Sequence, residues 1–83
     1  MNLTALTPER QIFSGSVKSV KVPGAGGQFE ILKDHAPIVA ALSEGEVRII
    51  NSDGEKTVFN IESGFVEVLN NEVSLLIQAM KKD

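Results

Sequence analysis

His35 is the only histidine in the chain, and it stands between Asp34 and the dipeptide Ala36-Pro37. An imidazole beside a carboxylate can take a proton from a hydroxyl, so the chemistry to test first is hydrolysis with Ser43 or Ser63 as nucleophile. Neither serine sits in a Gly-x-Ser-x-Gly elbow, the strained turn that presents such a nucleophile. One histidine in a chain without cysteine also falls short of a zinc ligand set. His35 is therefore expected to order a loop through hydrogen bonds or to lie at an interface.

The run Gly24-Ala25-Gly26-Gly27 invites a phosphate-cradle reading. Such a cradle needs a helix N-terminus directly after the glycines, because the free N–H groups there point at the anion. The next residues, Gln28-Phe29-Glu30-Ile31-Leu32, read as a strand instead, so the glycines are expected to form a turn that a partner can approach. Glu44, Glu46, Glu55, Glu62, Glu67 and Glu72 fall on turns or on the polar phase of strands, where solvation is the default for a charged group. No cofactor, metal or catalytic residue is expected from this inventory.

The elements that must position these residues are strands. Short apolar stretches rich in Val, Ile and Thr recur between turn residues at Thr7-Pro8, Pro23 to Gly27, Asn51 to Gly54, Ser63-Gly64 and Asn70-Asn71. Val47 and Ile49 alternate with Glu46 and Arg48, and the chain then turns through Asn51 to Gly54 into Glu55 to Ile61, which predicts a hairpin. A second hairpin runs from Phe65 to Leu69, turns at Asn70-Asn71, and returns through Glu72 to Ile77, with Val73, Leu75 and Ile77 facing the core. Val17 is out of phase with Val20 and Val22, which predicts a β-bulge or bend near Lys18-Ser19. Ile50 and Leu76 lie on the polar phase of their strands; a second core layer is favoured for them over an apolar binding patch. Asp34 to Leu42 is compatible with either a capped helix or a strand.

The 83 residues allow one domain, 1–83, with 42% hydrophobic and 23% charged residues suited to a packed core. A net charge of −3, four Phe and no Tyr or Trp oppose the basic, aromatic-lined face that nucleic acid requires. Ala36 to Leu42, the longest apolar stretch, is far short of the roughly 20 residues that span a bilayer, so any membrane association is expected to go through a partner protein. Lys81-Lys82-Asp83 reads as a solvated end. The class is all-β, and strands alone leave open a small β-barrel that binds a ligand or oligonucleotide.

Taken in order, Thr7-Pro8-Glu9, Phe13-Ser14-Gly15, Val20-Lys21-Val22-Pro23-Gly24, Gly27-Gln28-Phe29-Glu30-Ile31-Leu32, His35-Ala36-Pro37-Ile38, Gly45-Glu46-Val47-Arg48-Ile49 and Gly64-Phe65-Val66-Glu67-Val68 resemble the epsilon subunit of F-type ATP synthases. The resemblance covers nearly the whole chain. It implies a flattened β-sandwich or barrel of about ten short strands. It also implies a noncatalytic, central-stalk rotor subunit on the cytoplasmic side of a bacterial membrane, bound to the gamma subunit and seated on the ring of c subunits while protons or sodium ions cross.

On the same resemblance Gly24, Ala25, Gly26, Gly27 and Gln28 would face the c-ring, and His35, Ala36, Pro37, Ile38 and Leu42 would face gamma. Gln28 stands where many relatives carry an acid, which implies a hydrogen-bonded rather than charge-paired contact. Glu30 stands where relatives often have Gly, and Lys33-Asp34 where they often have Pro-Gly, so a different loop shape is expected. Many relatives continue into a C-terminal helical hairpin; none is expected here, and neither inhibition nor ATP sensing through it. A rotor link commits over roughly 1,000 Å² to its interfaces, so exposed apolar patches should be present on the free chain.

Overall fold

The structure, a computed structural model, describes residues 1–81. Lys82 and Asp83 of the charged end lie outside the described residues. Seven strands follow one another: β1 (Asn2–Leu6), β2 (Gln11–Gly24), β3 (Gly27–Leu32), β4 (Ile38–Leu42), β5 (Gly45–Asn51), β6 (Lys56–Leu69) and β7 (Glu72–Met80). No helix occurs among the described residues.

Pairing closes on itself. β1 pairs with β2, β2 with β5, β5 with β6, β6 with β7, and β7 returns to β1 in parallel, while β3 and β4 extend the sheet from β2 and β6. The ring is flattened because β2 and β6, 14 residues each, bend and serve both layers. One layer holds residues 11–16 of β2, then β1, β7, residues 64–69 of β6, and β4. The other holds β3, residues 17–24 of β2, β5, and residues 56–61 of β6. Seven strands, two of them long and bent, thus stand in place of the ten or so short strands expected.

Each bend is written in the phase of the apolar residues. β2 shifts register between Val17 and Ser19, as the change of phase predicts, and all of Val17, Val20 and Val22 are buried. β6 does the same between Ile61 and Gly64, with Ile61 buried before the shift and Val66 and Val68 after it. Without the extra residue every later side chain would turn to the wrong face. Ser63-Gly64 is therefore not a turn between strands, as its composition suggested, but a bend within β6. Gly64 is needed there for room: a Cβ would lie 2.6 Å from the Leu76 carbonyl oxygen.

Both predicted hairpins are present, as β5–β6 and β6–β7. Asn70 and Asn71 take φ of 50° and 63°, the two consecutive left-handed residues of a type I′ turn. Val73, Leu75 and Ile77 are buried with Leu3, Ile31, Ile49 and their neighbours in one aliphatic core. Leu76 corrects the expectation of a second core layer: it is 43% exposed, on the outside of β7, while Ile50 is half-buried. The ambiguous segment from Asp34 resolves as a loop followed by strand β4, since Pro37 and the β-branched pair Ile38-Val39 favour extended backbone and β6 supplies the hydrogen-bonding partner.

Candidate interaction site at the two ends of β4

β4 runs antiparallel to β6, with Ile38 opposite Val68 at one end and Leu42 opposite Gly64 at the other. Five residues of extended chain span roughly 13 Å. The two groups of residues singled out in the sequence lie at its opposite ends.

At the Leu42 end, β2 and β3 are joined by a tight turn through Ala25 and Gly26, with Gly24 opposite Gly27. The turn is strapped to β4 by main chain alone: Ala25 N–H donates to the Ala41 carbonyl (2.9 Å), and Ser43 N–H to the Pro23 carbonyl (2.8 Å). Gly24 is buried, and a Cβ there would meet the Gly27 carbonyl oxygen at 2.6 Å and the Phe29 ring at 2.8 Å. Ala25, Gly26, Gly27 and Gln28 are exposed. Open depressions flank the turn, one lined by Lys21, Ser43, Glu44 and Glu46, the other by Phe29, Ala40 and Ala41. No helix follows the glycines, so the phosphate-cradle geometry is absent from the described residues.

At the Ile38 end, Leu32 to His35 form a turn closed by His35 N–H donating to the Leu32 carbonyl (3.1 Å). Asp34, at its third position, has φ 65°, where a type II turn calls for glycine. Asn71 crosses from the β6–β7 turn to hold it. Asp34 N–H donates to Asn71 Oδ1 (2.7 Å), and Asn71 Nδ2 donates to Asp34 Oδ1 (2.9 Å). His35 Nδ1 donates to the neighbouring Ala36 carbonyl at 2.7 Å. Ala36 and Pro37 are exposed, and His35 and Ile38 are half-buried. Leu42 departs from the expected contact set: it is 5% exposed and faces the core, whereas Val39 (74% exposed) and Ala41 point outward from β4.

This placement removes the hydrolytic reading. Ser43 follows the far end of β4, and Ser63 adjoins Gly64, which is opposite Leu42, so neither hydroxyl shares a site with His35. Among the described residues no group of three or more His, Cys, Asp or Glu could hold a metal. All eight glutamates, the six considered for acid/base pairing among them, are exposed. Aliphatic side chains fill the space between the layers, where a ligand-binding barrel would keep a cavity.

The sequence did not single out the outer face beside β4. Leu6 lies opposite Leu76 across β1–β7, Leu76 opposite Phe65 across β7–β6, and Phe65 opposite Ala41 across β6–β4. These four residues form a continuous exposed row, with Leu6 36%, Leu76 43% and Phe65 43% accessible. Leu69 (57%) and Leu32 (51%) add apolar surface at the His35 end. The expected apolar patches are present. Leu76, on the wrong phase of its strand, was the one signal of this row in the sequence.

A family model described as ATP synthase, Delta/Epsilon chain, beta-sandwich domain matches residues 1–83. The chain belongs to this family. An ATP synthase epsilon chain of Chlorobium limicola is 47% identical over 76 residues, 92% of this chain and 86% of that one. That of Protochlamydia amoebophila is 43% identical over 79 residues, 95% of this chain but 54% of the relative, so the chain spans about half the length of that relative. Among solved structures, a chain of the Euglena gracilis mitochondrial ATP synthase OSCP/F1/c-ring assembly superimposes with a TM-score of 0.81 at 22% identity over 90% of this chain and 48% of that chain. A chain of the Tetrahymena thermophila mitochondrial ATP synthase central stalk/c-ring structure gives 0.80 at 17% identity, over 99% of this chain and 66% of that chain. At these identities the two structures speak for the fold: the delta/epsilon β-sandwich is what the alternation of buried residues builds here.

Proposed function

We propose that this delta/epsilon-family chain is a noncatalytic central-stalk subunit that joins the gamma subunit to the ring of c subunits in an F-type ATP synthase. It would act on the cytoplasmic face of a bacterial membrane, reaching the membrane only through the complex. The observation that carries the reading is the family match along all 83 residues, on a fold that sets the glycine turn and the His35 loop at the two ends of β4. The glycine turn 24–28 offers main chain and the Gln28 amide to the polar loops of a c-ring. The loop 35–38 offers a short rigid contact to gamma, with Val39 and Ala41 in place of Leu42 as its outward continuation on β4. The exposed row of Leu6, Leu76, Phe65 and Ala41 gives the same partner an apolar face to cover.

Such a subunit supplies binding free energy and stiffness. Torque passes without slippage only if both contacts are fixed in one rigid body, and here a single five-residue strand connects them. The test is to mix the chain with the gamma subunit encoded in the same genome and weigh the product by size-exclusion chromatography with light scattering. A one-to-one complex is expected; two separate species at micromolar concentration would refute the assignment.

A further inference from the structure

We propose that Asn71 is a positioning residue for the partner contact at His35-Ala36-Pro37, fixing that loop in its binding shape before the partner arrives. The inference rests on the assignment of this loop to gamma. It comes from a coincidence of backbone strain and side-chain bonding at one corner of the molecule.

Among the described residues only Asp34, Asn70 and Asn71 have positive φ without being glycine, and all three meet here. Asn70 and Asn71 are accounted for by the two-residue hairpin they form, which requires that conformation. Asp34 belongs to no hairpin turn of this kind. Asp is among the few residues that visit this left-handed region, at a steric cost glycine would avoid, and bonds from outside the turn offset that cost. The turn's own bond, His35 N–H to the Leu32 carbonyl at 3.1 Å, is the longer one. The two bonds to the Asn71 amide, at 2.7 and 2.9 Å, reach across 37 residues of sequence.

Asn71 is itself well anchored. Its carbonyl accepts the Asn2 N–H at 2.9 Å, tying it to the start of β1, and its neighbour Glu72 opens β7. The amide thus transmits the rigidity of the sandwich to a loop that otherwise hangs between β3 and β4. A loop populating its bound shape only part of the time binds more weakly in proportion to that fraction. Asn71 raises the fraction without touching the partner.

The test titrates the gamma subunit of the same genome into the whole chain by calorimetry, with amide hydrogen exchange of the free chain alongside. Asn71→Gly keeps the left-handed backbone and removes the side chain. Asn71→Asp sets two carboxylates against each other. In the double variant D34N/N71D the new carboxylate accepts both the position-34 N–H and the new amide, keeping the main-chain bond as it was and restoring the side-chain bond with donor and acceptor exchanged. Asn71→Gly and Asn71→Asp are expected to bind about tenfold more weakly, with faster exchange at residues 34–35. D34N/N71D is expected to return within about twofold of the unaltered chain. Binding by Asn71→Gly equal to that of the unaltered chain overturns the proposal, even if thermal stability falls, because the amide would then be merely structural. A double variant as weak as Asn71→Asp overturns it too. If the unaltered chain forms no complex, the assignment to gamma fails and takes this inference with it, a result reached without any variant and so distinct from the other two.

Discussion

The two ends of β4 are held by opposite means. At the Leu42 end the neighbouring turn is nearly free of side chains; Gly24 lies so close to the Gly27 carbonyl and the Phe29 ring that only a hydrogen fits, and main-chain bonds from Ala25 and Ser43 do the rest. At the Ile38 end the main chain is in a conformation it does not favour, and side-chain amide chemistry from Asn71 keeps it there. Close packing is rigid because any added atom must displace neighbours. A polar clasp on the surface is rigid only while both partners are present, and water competes for each bond. The glycine end should therefore tolerate solution conditions better and mutation worse, and the Asp34–Asn71 end the reverse.

The largest expected effect tests whether both ends depend on the common core. Leu75→Ala removes a fully buried side chain beneath the layer that carries β4 and should cost about 2 to 5 kcal/mol, measured by urea unfolding. It should raise hydrogen exchange at both ends alike, and loosening at one end only would show that the ends do not share one core. Gly24→Ala comes next, at about 1 to 3 kcal/mol, because its Cβ would sit 2.6 Å from a carbonyl oxygen. A neutral outcome by thermal denaturation would remove the claim that packing holds that turn. Asn71→Gly should lower stability by about 1 kcal/mol, seen as a small fall in Tm with exchange changes confined to residues 33–37. Changes reaching residues 24–28 would mean the two ends are coupled.

The smallest effects lie on the surface. Glu44→Ala deletes an ion pair with Lys81 (2.8 Å) in which both side chains are about half exposed, and should change unfolding free energy by less than about 0.5 kcal/mol. A loss above about 1 kcal/mol would mean that the glycine end relies on side-chain electrostatics after all.

The alternation of Val73, Leu75 and Ile77 and the phase change between Val17 and Val20 determined, without any coordinates, which face of each segment is buried and where β2 bends. A period of two admits only one inward set per strand, so that information is local. The Asn70-Asn71 hairpin was equally local, since few residues other than glycine accept two left-handed positions in succession. By contrast, Ser63-Gly64 has turn composition yet lies within a strand, because the space for Gly64 is set by the Leu76 carbonyl on a neighbouring strand. Leu76 itself looked like a core residue; whether an apolar side chain meets a second layer or solvent depends on what stacks above its sheet, and among the described residues nothing covers it. Leu42 looked like surface continuous with His35, but β4 turns it inward against Gly24 and Gly64 and presents Val39 and Ala41 instead. The Asp34–Asn71 clasp was out of reach of the sequence altogether. Two polar residues 37 positions apart carry no mutual signal, and only closure of the sandwich brings an amide to a backbone N–H that needs an acceptor.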